Sequence, residues 1–464
     1  VSFPFAHALS AGQDIPIPEW LFAWGASIVL VVSFFALSAG WRRARYEGDS
    51  WRAVAPGFGR LITGVPVRIL CGAIGLFMLG LAIYSGFEGT EAPDRNITLT
   101  LLFVTAWLGF PLLGILFGNV YPAFNPWNAV AAPIGWVWRK VAGSAPPHLA
   151  YPARLGRWPA AVGLFLFVWL ELVYGEGNGV AVGVSPEAVA EAAIVYSIYT
   201  LAMTGLFGRE AWFRNGEIFS VYFGMFGSLG KLQVRGRELG VRRFLAGSTA
   251  WVAGIPGSVA LVIVSIGTTT YDGASEGVFK DGIEKLIEWL GDAGLGPTMA
   301  TRTSSTIFML LSVAIVALVY VAGVRGMSRV PGAPGRRELR VSFAHALIPI
   351  AFAYLLAHYF SLFVYQEQAQ FTYLLSDPLG TGTTDLFGTA SQGIDYNLIS
   401  NELVWYVQVG ALVAGHVAGL ILAHDRAVAT WKDYRIAARS QYWMLAVMVA
   451  FTCFGLFLLS VSNA

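Results

Sequence analysis

Ten apolar segments, each near the length a helix needs to cross a bilayer, constrain this chain more than anything else. About 20 residues at 1.5 Å apiece span the hydrocarbon layer. The segments cover residues 20–40, 67–86, 97–117, 159–174, 189–206, 251–270, 304–323, 341–363, 403–423 and 442–461. Charged residues make up 12% of the chain and hydrophobic ones 56%, whereas a soluble domain carries about 25% charge. Lipid therefore surrounds most of the chain. The expectation is an all-α polytopic transmembrane bundle of about ten spans, one integral membrane domain over 1–464.

The connections predict its orientation. Arg42, Arg43, Arg45 and Arg52 fill the first, Arg139, Lys140, Arg154 and Arg157 the third, and Arg214, Lys231, Arg235, Arg237, Arg242 and Arg243 the fifth. The seventh and ninth are equally basic, with Arg325, Arg329, Arg336, Arg337 and Arg340, then Arg426, Lys432, Arg435 and Arg439. Even-numbered connections, around 88–94, 175–187, 272–292 and 367–395, are acidic or neutral. The positive-inside rule then puts the odd connections in the cytoplasm and both termini outside. A formal net charge of +2 gives a nucleic-acid partner no support, so the bilayer itself is the expected partner. Cys71 and Cys453 lie in apolar segments and form neither a disulfide framework nor a CxxC motif.

Some stretches between spans are amphiphilic. Asn125-Pro126-Trp127, leading to Trp136, Trp138, Arg139 and Lys140, reads as interfacial, as does the run from Glu217 to Phe223. In the outer connection over 271–303, Ile283, Leu286, Ile287 and Leu290 recur at i, i+3, i+4 and i+7, which predicts a surface amphipathic helix. Another long outer loop is expected over 366–400. Residues 1–8 could be the remnant of a signal peptide, and His7 could head a copper-binding N-terminus if cleavage fell just before it.

Ionisable side chains at membrane depth are costly and count as candidate functional groups. Glu171 falls about 18 Å up the fourth span, and snorkelling to the outer headgroups is its alternative reading. In the eighth span Tyr354, His358 and Ser361 share one face, and His345 precedes Pro349, where a kink is expected. In the ninth, His416 is central, His424 and Asp425 lie at the cytoplasmic end, and Ala411, Gly415 and Gly419 form a small-residue face for close helix approach. His358 and His416 fall within about 8 Å in depth. With Glu171 they could hold a divalent metal. Bis-histidine haem fits poorly, because the paired histidines are thirteen residues apart on one helix and eight on the other. The structural alternative is an interhelical hydrogen bond. On the outer side Asp272, Asp377, Asp385 and Asp395 could bind a cation or simply cap turns. No GxSxG, HExxH, Walker or GxGxxG signature occurs in a fitting context.

Several of these stretches, with residues 15–24, 169–174 and 216–223, together with Asn125-Pro126-Trp127, Ala357-His358-Tyr359-Phe360-Ser361, Val413-Ala414-Gly415-His416-Val417-Ala418-Gly419 and Leu422-Ala423-His424-Asp425-Arg426, resemble the membrane proteins of actinobacteria and related bacteria called fenitrothion hydrolases. The resemblance covers most of the chain. It implies a bacterial plasma-membrane protein that hydrolyses an organophosphorus triester or similar apolar ester, and it supplies no catalytic residue set. The expected mechanism is a metal-activated water with His358, His416 and Glu171 as ligands or base. The rivals are a transporter using the same groups as an ion or proton relay, with helices broken at Pro111, Pro256 and Pro349, and a non-enzymatic subunit of a membrane metal or redox complex.

Overall fold

A computed structural model describes residues 19–175 and 183–462. The sites suggested for His7 and residues 1–8, residues 15–18 of the resembling stretch, and part of the fourth connection lie outside these. The described chain is nearly all-α. Its main helices are α1 (Glu19–Gly40), α2 (Val65–Glu88), α3 (Ile97–Phe117), α4 (Pro126–Ala142), α5 (Trp158–Tyr174), α6 (Pro186–Phe207) and α7 (Ile218–Gly227). They continue with α8 (Ser258–Ser275), α9 (Lys280–Asp292), α10 (Pro297–Met327), α11 (Ile348–Phe371), α12 (Asn401–Trp431) and α13 (Tyr442–Ser462).

Every one of the ten apolar segments is largely helical. By length and composition, six helices could cross a membrane: α2, α3, α6, α10, the stretch Arg336–Ser376 that contains α11, and α12. A seventh is reached if Tyr434–Ser440 and Tyr442–Leu458, bent by 42° at their junction, form one span. Trp24–Gly40, α5 and α7 are apolar but shorter. These are the helices of a multi-pass membrane protein.

Small residues set the closest packing. The small-residue face of α12 meets α11: a Cβ at Gly415 would fall 2.1 Å from the Ala353 Cβ, and one at Gly419 would fall 2.7 Å from the Ala346 carbonyl oxygen. Lipid offers helices no hydrophobic drive to associate, so such close backbone approach is what gains dispersion energy. The amphipathic outer helix exists as α9 and is tied to α10, where the Ser304 hydroxyl donates to the Ile283 carbonyl at 3.0 Å.

Several local expectations change. Helix α8 continues to Ser275, so Asp272 is buried within a helix rather than standing in the outer connection. The Thr268, Thr269 and Thr270 hydroxyls bond to carbonyls a turn back, which lets this polar run stay helical. Pro349 lies in the first turn of α11, after a 3₁₀ turn over Ala344–Leu347, so the expected kink is a change of helix type. Residues 366–371 still belong to α11 and Tyr373–Ser376 forms another turn, so the irregular outer loop starts later than expected. A small antiparallel sheet at the arginine-rich end was not foreseen. Its strands β1 (Arg52–Ala55), β2 (Leu232–Arg235) and β3 (Glu238–Val241) are ordered β1-β3-β2.

Candidate functional site: a buried acid–histidine–tyrosine centre

Two π-helical stretches interrupt the regular turns, Thr100–Ala106 in α3 and Leu170–Tyr174 at the end of α5. Such bulges re-aim side chains and recur at functional sites. The second carries Glu171. It is pinned to α10 by Arg302, which donates to the Tyr174 carbonyl at 2.7 and 3.1 Å with its guanidinium 4.2 Å from the Tyr174 ring centroid, and by the Trp169 indole, 2.8 Å from the Thr306 hydroxyl.

Asp272 lies opposite this bulge, on α8. Its Oδ2 accepts from the Tyr359 hydroxyl at 2.6 Å and pairs with His358 Nε2 at 2.8 Å. Facing an acceptor, Nε2 carries the proton. His358 and Tyr359 are consecutive on α11, yet both reach one oxygen because their rings meet edge to face, 4.6 Å apart at 75°. Gly273 makes room: a Cβ there would lie 3.3 Å from the Tyr354 hydroxyl and 3.4 Å from His358 Cε1. Asp272, His358 and Tyr359 are all buried, and Glu171 is partly exposed. Glu171 is close enough to Asp272, Tyr222 and Tyr359 to interact with each electrostatically. Tyr222 stacks on Trp107 at 4.3 Å and 8°. Two carboxyls, an imidazole and two phenols thus converge inside the bundle.

The expected metal set is not assembled. His416 Nδ1 donates to the Leu412 carbonyl of its own helix at 2.8 Å, with no bond to His358. Among the described residues no group of three or more His, Cys, Asp or Glu is placed to hold a metal ion. His416 instead borders an apolar cavity of 40 Å³ between α8, α10, α11 and α13. Tyr354 and His416 both line one of 20 Å³.

The other candidates fasten the fold. Asp425 accepts from the Trp41 indole at 2.8 Å, from the Arg45 amide at 2.6 Å and from the Tyr46 amide at 2.9 Å, which locks the turn after α1 onto α12. His424 bridges the Trp41 carbonyl at 3.1 Å and Gln441 at 3.0 Å. His345 is buried in the 3₁₀ turn. In the outer loop Asp377 accepts from the Gly382 amide and the Thr384 hydroxyl, Asp385 from the Ala390 amide and Asp395 from the Asn397 amide. Those are turn-capping roles, and none of the three joins Asp272.

The two stretches expected at the interface begin in the interior, although Trp136 and Trp138 further along the first are exposed. Asn125 and Glu217 are 1% and 0% exposed. Asn125 caps α4 through the Asn128 amide, and Glu217 caps α7 through the Phe219 and Ser220 amides. The two caps meet, Asn125 Nδ2 donating to Glu217 Oε2 at 3.1 Å, and the Tyr196 hydroxyl donates to Oε1 at 2.7 Å. A Cβ at Gly75 would fall 1.7 Å from the Phe124 carbonyl oxygen. Gly75 is ten residues, about 15 Å, into α2. Hence α4 and α7 are short helices whose starts meet beside the middle of α2, a backbone break tolerated because it is buried in protein. Mutual capping satisfies these polar groups inside the protein. The Asn-Pro pair and the lone Glu217 in an apolar run were the signals for it.

No family model, curated protein or solved structure matches this chain.

Proposed function

We propose that this chain is a ten-span transporter of the bacterial plasma membrane, odd connections inside, in which Glu171, Asp272, His358 and Tyr359 bind and pass a proton that drives a solute. The buried Asp272–His358–Tyr359 array is the observation that carries this reading. With His358 neutral and Asp272 ionised the array holds one negative charge, and one added proton cancels it. Charge in a low-dielectric interior costs several kcal/mol, so protonation changes how α8 and α11 hold together. Glu171, partly exposed and beside Asp272, is the entry group. The paired π-bulges and the buried break at Asn125 and Glu217 give the bundle the irregular backbone that transporters use at their sites.

Space favours a relay over a hydrolytic pocket here. The cavity that reaches Tyr359 measures 10 Å³, room for about one water. A site for a drug-sized ester runs to about 300 Å³ or more. In vesicles loaded with a pH-sensitive dye, the wild type should carry protons down an imposed gradient, and Asp272→Asn and Glu171→Gln should abolish the flux. Proton-tight wild-type vesicles under every solute gradient tried would overturn the proposal.

The hydrolase reading keeps one structural point in its favour. A histidine held by a carboxylate is also how a general base is oriented. Release of nitrophenol from an apolar phosphotriester by purified protein, lost in His358→Ala, would establish that activity instead.

A further inference from the structure

A cavity of 390 Å³ opens at the arginine-rich end. Its wall holds Arg68, Arg157, Arg209 and Arg214, with a single acid, Glu210. Among the described residues none of these four arginines has an ion-pair partner within 4 Å. Arg157 is the telling one. It is 5% exposed; its Nη1 donates to the Trp251 carbonyl at 2.5 Å and to the Ser258 hydroxyl at 3.0 Å, and its guanidinium sits 4.0 Å from the Trp251 ring centroid. Its Nε is buried without a partner. Burial, with Arg214 nearby, lowers the Arg157 guanidinium to about 10. A guanidinium fixed this rigidly, desolvated and without a counter-ion is costly unless something supplies the negative charge.

We infer that this cavity binds a phosphate group at the arginine-rich face of the membrane. Four guanidiniums against one carboxylate leave an excess of three positive charges, and a dianion with three or four oxygens offsets more of it than a monocarboxylate. Planar guanidinium forks pair with phosphate oxygens in bidentate fashion. The start of α4 adds a positive potential, since Asn125 and Asn128 line the same cavity, whereas the Glu217 carboxylate offsets that of α7. The first amides of both helices are already capped, so the arginines supply the donors. Glu217 accepts from the lining Asn125, so a carboxylate stands behind that part of the wall, away from the arginines. The site stands apart from the proton centre and does not depend on it.

The phosphate could belong to a soluble anion or to a lipid phosphomonoester, and binding to the full-length protein tells them apart. Calorimetry in lipid-free detergent with inorganic phosphate, at constant ionic strength made up with chloride, reads the soluble form. Nanodiscs with and without phosphatidic acid read the lipid form through thermal stabilisation. Saturable binding in either arm supports the site. Arg209→Gln and Arg214→Gln, on less buried positions, should each weaken it about tenfold, the loss of one charged hydrogen-bonding partner. Glu210→Gln should tighten it. No saturable response to phosphate or phosphatidic acid, or equal affinity in wild type and all three variants, would overturn the inference.

Discussion

Asp272 and Glu217 are both carboxylates buried in a lipid-embedded bundle, and they are satisfied in opposite ways. Glu217 accepts from two backbone amides, an asparagine and a tyrosine, so all four partners are donors and none gains or loses a proton near neutral pH. Asp272 has two partners on one oxygen, one of them a histidine, and another carboxylate within electrostatic reach. The first arrangement holds two helix starts together. In the proposed relay the second is the one that takes up and releases a proton. Burial alone therefore does not separate a structural acid from a functional one; the chemistry of its partners does.

Glu217→Ala should cost the most stability, about 3–5 kcal/mol, because it strands an asparagine, a tyrosine and two amides in the interior. Thermal unfolding in detergent would read the loss, and a variant that folds as well as wild type would break the contrast. Asp272→Asn should cost about 1–3 kcal/mol while eliminating proton flux, since the amide keeps the shape and loses the charge. If Glu217→Gln removed flux with stability intact, Glu217 would belong to the relay. Gly415→Ala should cost about 1–3 kcal/mol, since the new methyl meets Ala353 at 2.1 Å. Gly273→Ala, with its nearest contact at 3.3 Å, should be milder in stability yet alter flux by displacing His358. The smallest effect is expected at the exposed Asp49–Arg235 pair on the small sheet. The hydrogen bond from Arg235 lowers the Asp49 carboxyl below its ordinary range. A depressed carboxyl contributes above its unfolded value and loses that contribution as pH falls through its folded one. Asp49→Asn should thus change an unfolding profile marginally at neutral pH and not at all in strong acid.

Part of this organisation was legible beforehand because it depends on neighbours in sequence. The helical segments, the amphipathic face of α9 and the small-residue stripe of α12 follow from spacing along one helix. His358 and Glu171 stood out as polar groups in apolar runs, and the structure brings both to one centre. His416 stood out equally and does not join it, because its imidazole bonds to its own helix at Leu412. Asp272 falls just past the expected end of its span at residue 270, but the helix continues through it, with threonine hydroxyls that bond back to the helix making the run compatible with burial. Nothing local marked Tyr359 as a partner of Asp272, and Arg157 read only as one of the basic residues of the third connection.

The sequence by itself determined that the chain is a helical membrane bundle with a basic and an acidic end, since hydropathy and charge act segment by segment on the surrounding solvent. Tertiary structure decided which polar groups meet. Asp272 finds His358 86 residues away and Asn125 finds Glu217 92 residues away. Such pairings depend on how helices cross and where two of them start. A buried polar group bonds to whichever partner the packing delivers, and no pattern within one helix encodes that choice.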